Sequence, residues 1–464
     1  MRYGAMILAL VVGTASVRAQ EPLERIVFGS CNQQDKPQKF WDAILAMKPQ
    51  VFLFCGDNIY GDTNDMDVLR KKYEQLGSEP GYKALKQTCP ILATWDDHDY
   101  GINDGGKEYA LRAESQQIFL DFFGVPKNSP RRKLKGVYNS AIFGPPEKSV
   151  QIIMTDTRYD RGPFLKRDKF IPNIGPYIVN NDKSSTFMTE EQWAWLAGEL
   201  KKPAKVRVLV SSIQVVSEEH GWEKWMNLPH ERQRLFKVLR DTEAAGVIIL
   251  SGDRHHAELS VMDAGIGYPL FDLTSSGLNQ GFAKWRMPEA NKHRHSVQFS
   301  GNNFGAVLID WSEKDPILRL QIRRDDGEVS ISERIPLSIL QPGFLKIKDA
   351  PKSETPAGVL VNGKLLSAAL VKELLGKEVT VRLTVAASGM SKAGDLVFLN
   401  SSANRMASDN FTIVLNKTVQ GQLKGQGIPN PRAHFEGKTI DVTGTLSEFG
   451  GRPQIVPTAA DKIK

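Results

Sequence analysis

Five apolar runs in this chain break off in side chains that carry chemistry, and that repeated break limits the fold more than any other feature. "RIVFGSC" stops at Cys31, "QVFLFCGD" at Asp57, and "CPILATWDDHD" at Asp97 and His98. "VQIIMTDTR" stops at Asp156, Thr157 and Arg158, and "GVIILSGDRHH" at Asp253, Arg254 and His255. Helix-like stretches lie between the runs: "DKPQKFWDAILAMKP", residues 65–87, and "TEEQWAWLAGELKK", where Thr189 is placed to cap Glu190, Glu191 and Gln192. Strands alternating with helices predict a layered α/β domain with its sheet covered on both faces. Ligands gather outside the carboxyl ends of such strands, so five chemically equipped ends predict one site.

The texture changes between residues 341 and 372. "QPGFLKIKDAPKSETPAG" is rich in Pro, Lys and Gly and reads as a linker. Short β-runs with glycine turns follow from residue 373 to 464, predicting a small all-β domain. At the other end, Arg2 precedes the apolar run "AMILALVVGTA", and "VRA" closes at Ala19. This is the pattern of a secretory signal peptide over residues 1–19, and it predicts export to a periplasmic or extracellular space. The run falls short of the roughly 20 apolar residues of a spanning helix, and no later segment is long enough. The 60 basic against 53 acidic side chains give a formal charge of +7, scattered rather than gathered into a nucleic-acid groove.

The three cysteines are too few for a disulfide scaffold. Cys55 and Cys89 either pair, if their strands are neighbours, or are small core residues. Cys31 is a packed thiol or a metal ligand, deprotonated by the ion it binds.

Asp57 follows a glycine at a strand end and suits a carboxylate that bridges two ions about 3.5–4 Å apart. Tyr60 reaches the same ion if the loop curls back. Thiolate and phenolate donors together suit a trivalent ion such as Fe(III) better than Mg²⁺. "TWDDHDYGIND" crowds Asp96, Asp97, His98, Asp99 and Asp104, either as a solvated acidic loop or as carboxylates awaiting cations. There Asp97 is a candidate ligand and His98 a candidate proton donor to a leaving oxygen. Asp253 and His255, two apart on an extended segment, would share a face and one metal cluster, while His256 points away. Arg158 is either a planar clamp for phosphate oxygens or a salt-bridged cation. No G-x-S-x-G elbow, G-x-x-x-x-G-K-[ST] loop or paired-cysteine zinc motif occurs.

"FGSCNQQ", "FCGDNIYGD", "TWDDHDYG", "TDTRYDR", "LPHERQRLF" and "SGDRHHAE", in that order, resemble the alkaline phosphatase D (PhoD-like) family of metallophosphoesterases across residues 25–340. The resemblance implies an α/β/β/α sandwich and hydrolysis of phosphate mono- and diesters by a metal-bridging hydroxide. It also implies an iron centre (Fe³⁺) with calcium (Ca²⁺) as partner ion. Cys31, Asp57, Tyr60 and Asp253 would hold the iron, with Asp57 also bridging. Asp97 stands where the superfamily places the asparagine of Gly-Asn-His, and His98 stands at its histidine. His255 resembles the superfamily's final ligand histidine, and Arg158 the arginine near the phosphate. Longer family members carry an N-terminal β-domain and often a twin-arginine signal; this chain is expected to be a shorter form. Its C-terminal stretch is similar to small OB-fold-like barrels, with Phe398, Phe411, Phe435 and Phe449 as the aromatics available for stacking. An accessory role is favoured over nucleic-acid binding. The substrates expected are small phosphate esters. The alternatives are a diesterase or phospholipase-like specificity and a non-catalytic polyanion-binding protein, and the oligomeric state stays open.

Overall fold

The computed structural model describes residues 21–463, apart from 170, 172–173, 283–286, 346–358, 362–363, 366–367, 392, 403–409 and 450–451. The expected signal peptide and the middle of the expected linker lie outside the described residues. The chain divides into two compact units, Met1–Lys348 and Asp349–Lys464.

The first unit contains strands β1 (Arg25–Gly29), β2 (Val51–Cys55), β3 (Ile91–Thr94), β4 (Asn139–Phe143), β5 (Val150–Met154), β6 (Leu165–Lys166) and β7 (Tyr177–Ile178). It continues with β8 (Val206–Val210), β9 (Val247–Ser251), β10 (Ala257–Asp263), β11 (Pro269–Ser275), β12 (Asn303–Asp310), β13 (Ile317–Arg324) and β14 (Val329–Pro336). Its helices are α1 (Phe40–Ala46), α2 (Met66–Ser78), α3 (Pro80–Thr88), α4 (Asp97–Tyr100), α5 (Arg112–Phe122), α6 (Glu190–Leu200) and α7 (Pro229–Asp241).

Two six-stranded sheets result, ordered β14-β13-β12-β1-β2-β3 and β10-β11-β9-β8-β5-β4. Strand alternation decides what each face meets. In the first sheet Ile26, Phe28, Leu53 and Cys55 join Ile152, Val208 and Ile249 of the second in one core. The intervening Val27, Phe52 and Phe54 pack with Trp41, Leu69, Tyr73 and Phe119 of the helices. Strands β5, β8 and β9 are buried at every position, and α6 and α7 add Trp193, Leu196, Leu235 and Leu239 to the shared core. The layering is therefore two sheets face to face, with helices outside. The sheets are mixed: β1, β2 and β3 run parallel, as do β5, β8 and β9, while β12 returns antiparallel beside β1.

Three local readings are decided by the fold. Residues 65–87 form two helices, because Glu79 is extended and Pro80 opens a new first turn. Cys55 and Cys89 do not pair; both are free and buried. Cys55 lies opposite Thr94 at the carboxyl end of the β2–β3 pair, whereas Cys89 precedes β3 at the other end. Thr189 caps α6 as expected, its side chain accepting from the Gln192 N–H.

The second unit is built on an eight-stranded sheet. Its strand Glu378–Thr384 alternates strictly, burying Val379, Val381 and Leu383. It is not all-β. Helices occupy Ala368–Leu374, Lys417–Gly425 and Pro431–Phe435. Asn416 and Asn430 cap the last two by accepting from the N–H groups of Val419 and Ala433, and Val419 and Leu423 bury one helical turn apart. The expected linker is also too long, since Leu360–Val361 already pairs with Glu378–Thr384.

No helix among the described residues is long and apolar enough to cross a membrane.

Candidate metal centre

The carboxyl ends of the two sheets meet, and glycines let them do so. A Cβ on Gly252, before Asp253, would fall 2.5 Å from Ser30 Oγ and 3.0 Å from the Cys55 carbonyl oxygen of the opposite sheet. Gly56, before Asp57, has φ +102°, and a Cβ there would fall 2.6 Å from Asp96 Cβ. Among the described residues eight non-glycine positions have positive φ, and four of them are Cys31, Asp57, Asp253 and His255. Such backbone is costly and gathers where a site demands it.

These turns aim the donors inward. Cys31, Asp57 and His255 each offer one ligand atom within 4.8 Å of the others. The same holds for Asp57, Asp97 and His98, and for Asp57, Asp96, Asp97 and Asp253. Asp57 belongs to all three sets. Its Oδ2 lies 3.3 Å from Cys31 Sγ, and its Oδ1 accepts from the His98 N–H at 3.3 Å. Tyr60 does curl back: its hydroxyl lies 3.0 Å from His255 Nε2, and its ring stacks on His98 with centroids 4.0 Å apart.

Two expectations change. Asp253 and His255 are not on extended backbone; with φ of 70° and 54° they turn in a bend. Asp253 thus joins the Asp96–Asp97 set and His255 the Cys31 set, instead of sharing one. Arg158, expected at a phosphate oxygen, is wholly buried and saturated by carboxylates. Its Nε donates to Asp96 Oδ1 at 2.6 Å, its Nη1 to Glu223 Oε1 at 2.9 Å, and its Nη2 to Glu223 Oε2. It holds the acids from behind. His256, expected to point away from the cluster, is buried 3.9 Å from Glu258.

Residues to which the sequence assigned no role of their own complete the frame. Asp99 accepts from the N–H groups of Asp57, Asn58 and Asp96, locking two strand ends together. Its signal was present, since Asp96 and Asp99 form the capping box of α4. Asp62 lies 2.8 Å from His98 Nδ1, and Ser276 Oγ lies 3.1 Å from Cys31 Sγ and accepts from the His255 N–H at 2.6 Å. Nothing in "LTSSG" distinguishes Ser276.

The electrostatics are those of a cage built for cations. Burial and then the Asp97 charge raise the Asp57 carboxyl well above its usual range. Burial and then Asp57 raise the Cys31 thiol. Burial opposes charge on Asp97 too, but Arg158 and His98 outweigh it and hold the carboxylate at about 2. Burial, then Arg254, lowers His255 to about 4, leaving it in the neutral, ligating form. For His98 the acids Asp57, Asp97 and Asp62 outweigh burial and push the imidazole up to about 11. Buried acceptors Asp96 Oδ2, Asp97 Oδ1 and Asn58 Oδ1 have no hydrogen-bond partner among the described residues. Buried orphan oxygens beside clustered acids fit bound metal ions.

Residues 26–315 match the family described as PhoD-like phosphatase. The chain belongs to the PhoD-like phosphatase family. Alkaline phosphatase D of Bacillus subtilis (strain 168) is 23% identical over 206 residues, 40% of this chain and 34% of that protein. The PhoD-like chain thus matches about a third of the length of this curated relative. A solved structure of PhoD overlaps at TM-score 0.53 with 17% identity, covering 68% of this chain and 72% of that one, a likeness of fold.

Proposed function

We propose that the chain is an exported, metal-dependent phosphoesterase acting on phosphate mono- and diesters. The observation that carries this is the position of Asp57, shared by ligand sets drawn from both sheets. Cys31, Asp57, Tyr60 and His255 would hold one ion, which their thiolate and phenolate donors favour as ferric iron. Asp57, Asp96, Asp97 and Asp253 would hold a second, oxygen-only site of the kind calcium takes. When bound, such a pair supplies Lewis acidity and an activated water for in-line attack on phosphorus.

The protein groups supply placement and protons. Arg158 and Glu223 fix Asp96 from behind, and the Asp104 N–H donates to Asp97 Oδ2 at 2.7 Å, so the carboxylates do not move apart. Asp62 holds His98 by Nδ1, leaving Nε2 to give its proton to the departing alcohol oxygen. The stack on Tyr60 fixes the plane of the ring.

For the second unit we propose an OB-like accessory or docking role. A mainly antiparallel sheet, with one parallel pair between Thr412–Leu415 and Arg452–Val456, and an inserted helix support the first half of that reading. Against nucleic-acid stacking, Phe411 and Phe435 are committed to the core, and Phe449 is the exposed phenylalanine.

The test is hydrolysis of 4-nitrophenyl phosphate and bis(4-nitrophenyl) phosphate by metal-replete protein, with and without chelator. Chelator-sensitive turnover is expected; no turnover of either ester by the loaded protein would refute the reading.

A further inference from the structure

Exposed apolar side chains are ordinarily scattered over a surface, but around the β6–β7 pair they are gathered. Leu165, Ile171, Ile174, Ile178 and Val179 are each 38–48% exposed. Leu165 and Ile178 sit opposite each other in the antiparallel β6–β7 pair. Lys166, Arg167 and Lys169 accompany them against a single acid, Asp168. Lys166 and Lys169 are exposed.

The base of this ridge is pinned. The Gly221 N–H donates to the Ile174 carbonyl at 2.5 Å, and the Tyr177 N–H donates to the Gly221 carbonyl at 2.7 Å. The Tyr177 hydroxyl donates to Asp104 Oδ2 at 2.5 Å, and the Asp104 N–H holds Asp97. Beneath lies a hollow of about 280 Å³ lined in part by Asp104, Arg161, Phe164, Lys166 and Tyr177. Hydrogen bonds hold the backbone at Ile174 and Tyr177 while the aliphatic groups stay partly exposed. Two hydrogen bonds separate the hairpin from Asp97.

We propose that the β6–β7 ridge, through Leu165, Ile171, Ile174, Ile178 and Val179 with Lys166 and Lys169, docks on an anionic lipid surface, its aliphatic side chains entering the acyl boundary and its cations meeting the head groups. Charge and apolarity together select this partner. A purely ionic ligand gives the five aliphatic groups nothing to enter. A second copy meeting hairpin to hairpin would bring the cations of both chains together. An apolar ridge fringed by Lys and Arg matches the head-group boundary of an anionic bilayer. If the phosphoesterase reading holds, the docked chain acts on phosphate esters carried in that surface, but the docking itself is tested without turnover.

The experiment is co-sedimentation of the full mature chain with phosphatidylcholine vesicles, with and without phosphatidylglycerol. Binding is expected only to the anionic vesicles. It should fall about tenfold in an Ile174→Ser/Ile178→Ser variant and by a similar factor in Lys166→Glu/Lys169→Glu. Both variants should keep the parent's thermal unfolding, which shows that they fold. Absence of binding to anionic vesicles would overturn the proposal, as would binding that the isoleucine variant retains. So would release by inorganic phosphate alone, which would mark a plain anion site. A dimer in gel filtration that the isoleucine variant dissolves, without vesicle binding, would assign the ridge to self-association instead.

Discussion

The hydroxyl of Tyr60 lies 3.0 Å from Nε2 of His255, across 195 residues of chain. The contact joins a loop of the first sheet to a bend of the second, and it places a phenol beside the Cys31–Asp57–His255 set. If the ion held there is ferric iron, the tyrosinate should colour the loaded protein. Tyr60→Phe is expected to remove the tyrosinate part of the visible absorption and lower turnover at least tenfold, since one anionic donor is lost. Absorption spectra with elemental analysis check this, and a colourless parent would overturn the assignment of iron.

Arg158 is a stability prediction before it is a kinetic one. Its guanidinium is the buried counter-charge of Asp96 and Glu223. Arg158→Met leaves two buried carboxylates without it and should cost about 3–5 kcal/mol. Arg158→Lys keeps the charge but loses the planar fork, so its loss should be smaller. Urea unfolding of the three proteins measures both. Equal stability of parent and Arg158→Met would show that the pairing contributes nothing.

Glu218 supplies an acid limb to stability. Burial would raise its carboxyl, but Lys292, Arg232 and His293 outweigh that and hold it at about 2. A carboxylate depressed in the folded state stabilises above its unfolded value, about 4.3, and loses that contribution as the pH falls toward 2. Glu218→Gln should therefore be less stable than the parent at pH 6, with the gap closing by pH 2–3. Thermal unfolding across that range checks the sign, and a constant gap would show that Glu218 acts through packing alone.

The layers and the site's ingredients were legible because both rest on local signals. Apolar runs of strand length, ending in Asp57, Asp97 and Asp253, specify strands and their polar ends whatever their neighbours do. What stayed hidden depends on partners brought together by the fold. Whether Arg158 meets a phosphate or an acid is decided by Glu223, 65 residues away. How Asp253 and His255 divide between ligand sets is decided by left-handed backbone in a run that reads as extended. The helix Lys417–Gly425 was missed for a different reason: its two buried positions are too few to stand out against the surrounding β-runs.

Asp57 offers a prediction whose sign reverses with metal. Without cations its charge is buried beside Asp96, Asp97 and Asp99, which together with desolvation disfavour ionisation. Asp57→Asn removes that charge while keeping an oxygen to accept from the His98 N–H. In chelator, the variant should melt at or above the parent's temperature. With metal the order should invert, because ligands that bind only the folded state stabilise it by mass action and the variant has lost the shared donor. Four melting curves, parent and variant with and without metal, decide the matter. A variant less stable than the parent by the same margin in both conditions would mean that Asp57 serves the fold rather than the ions.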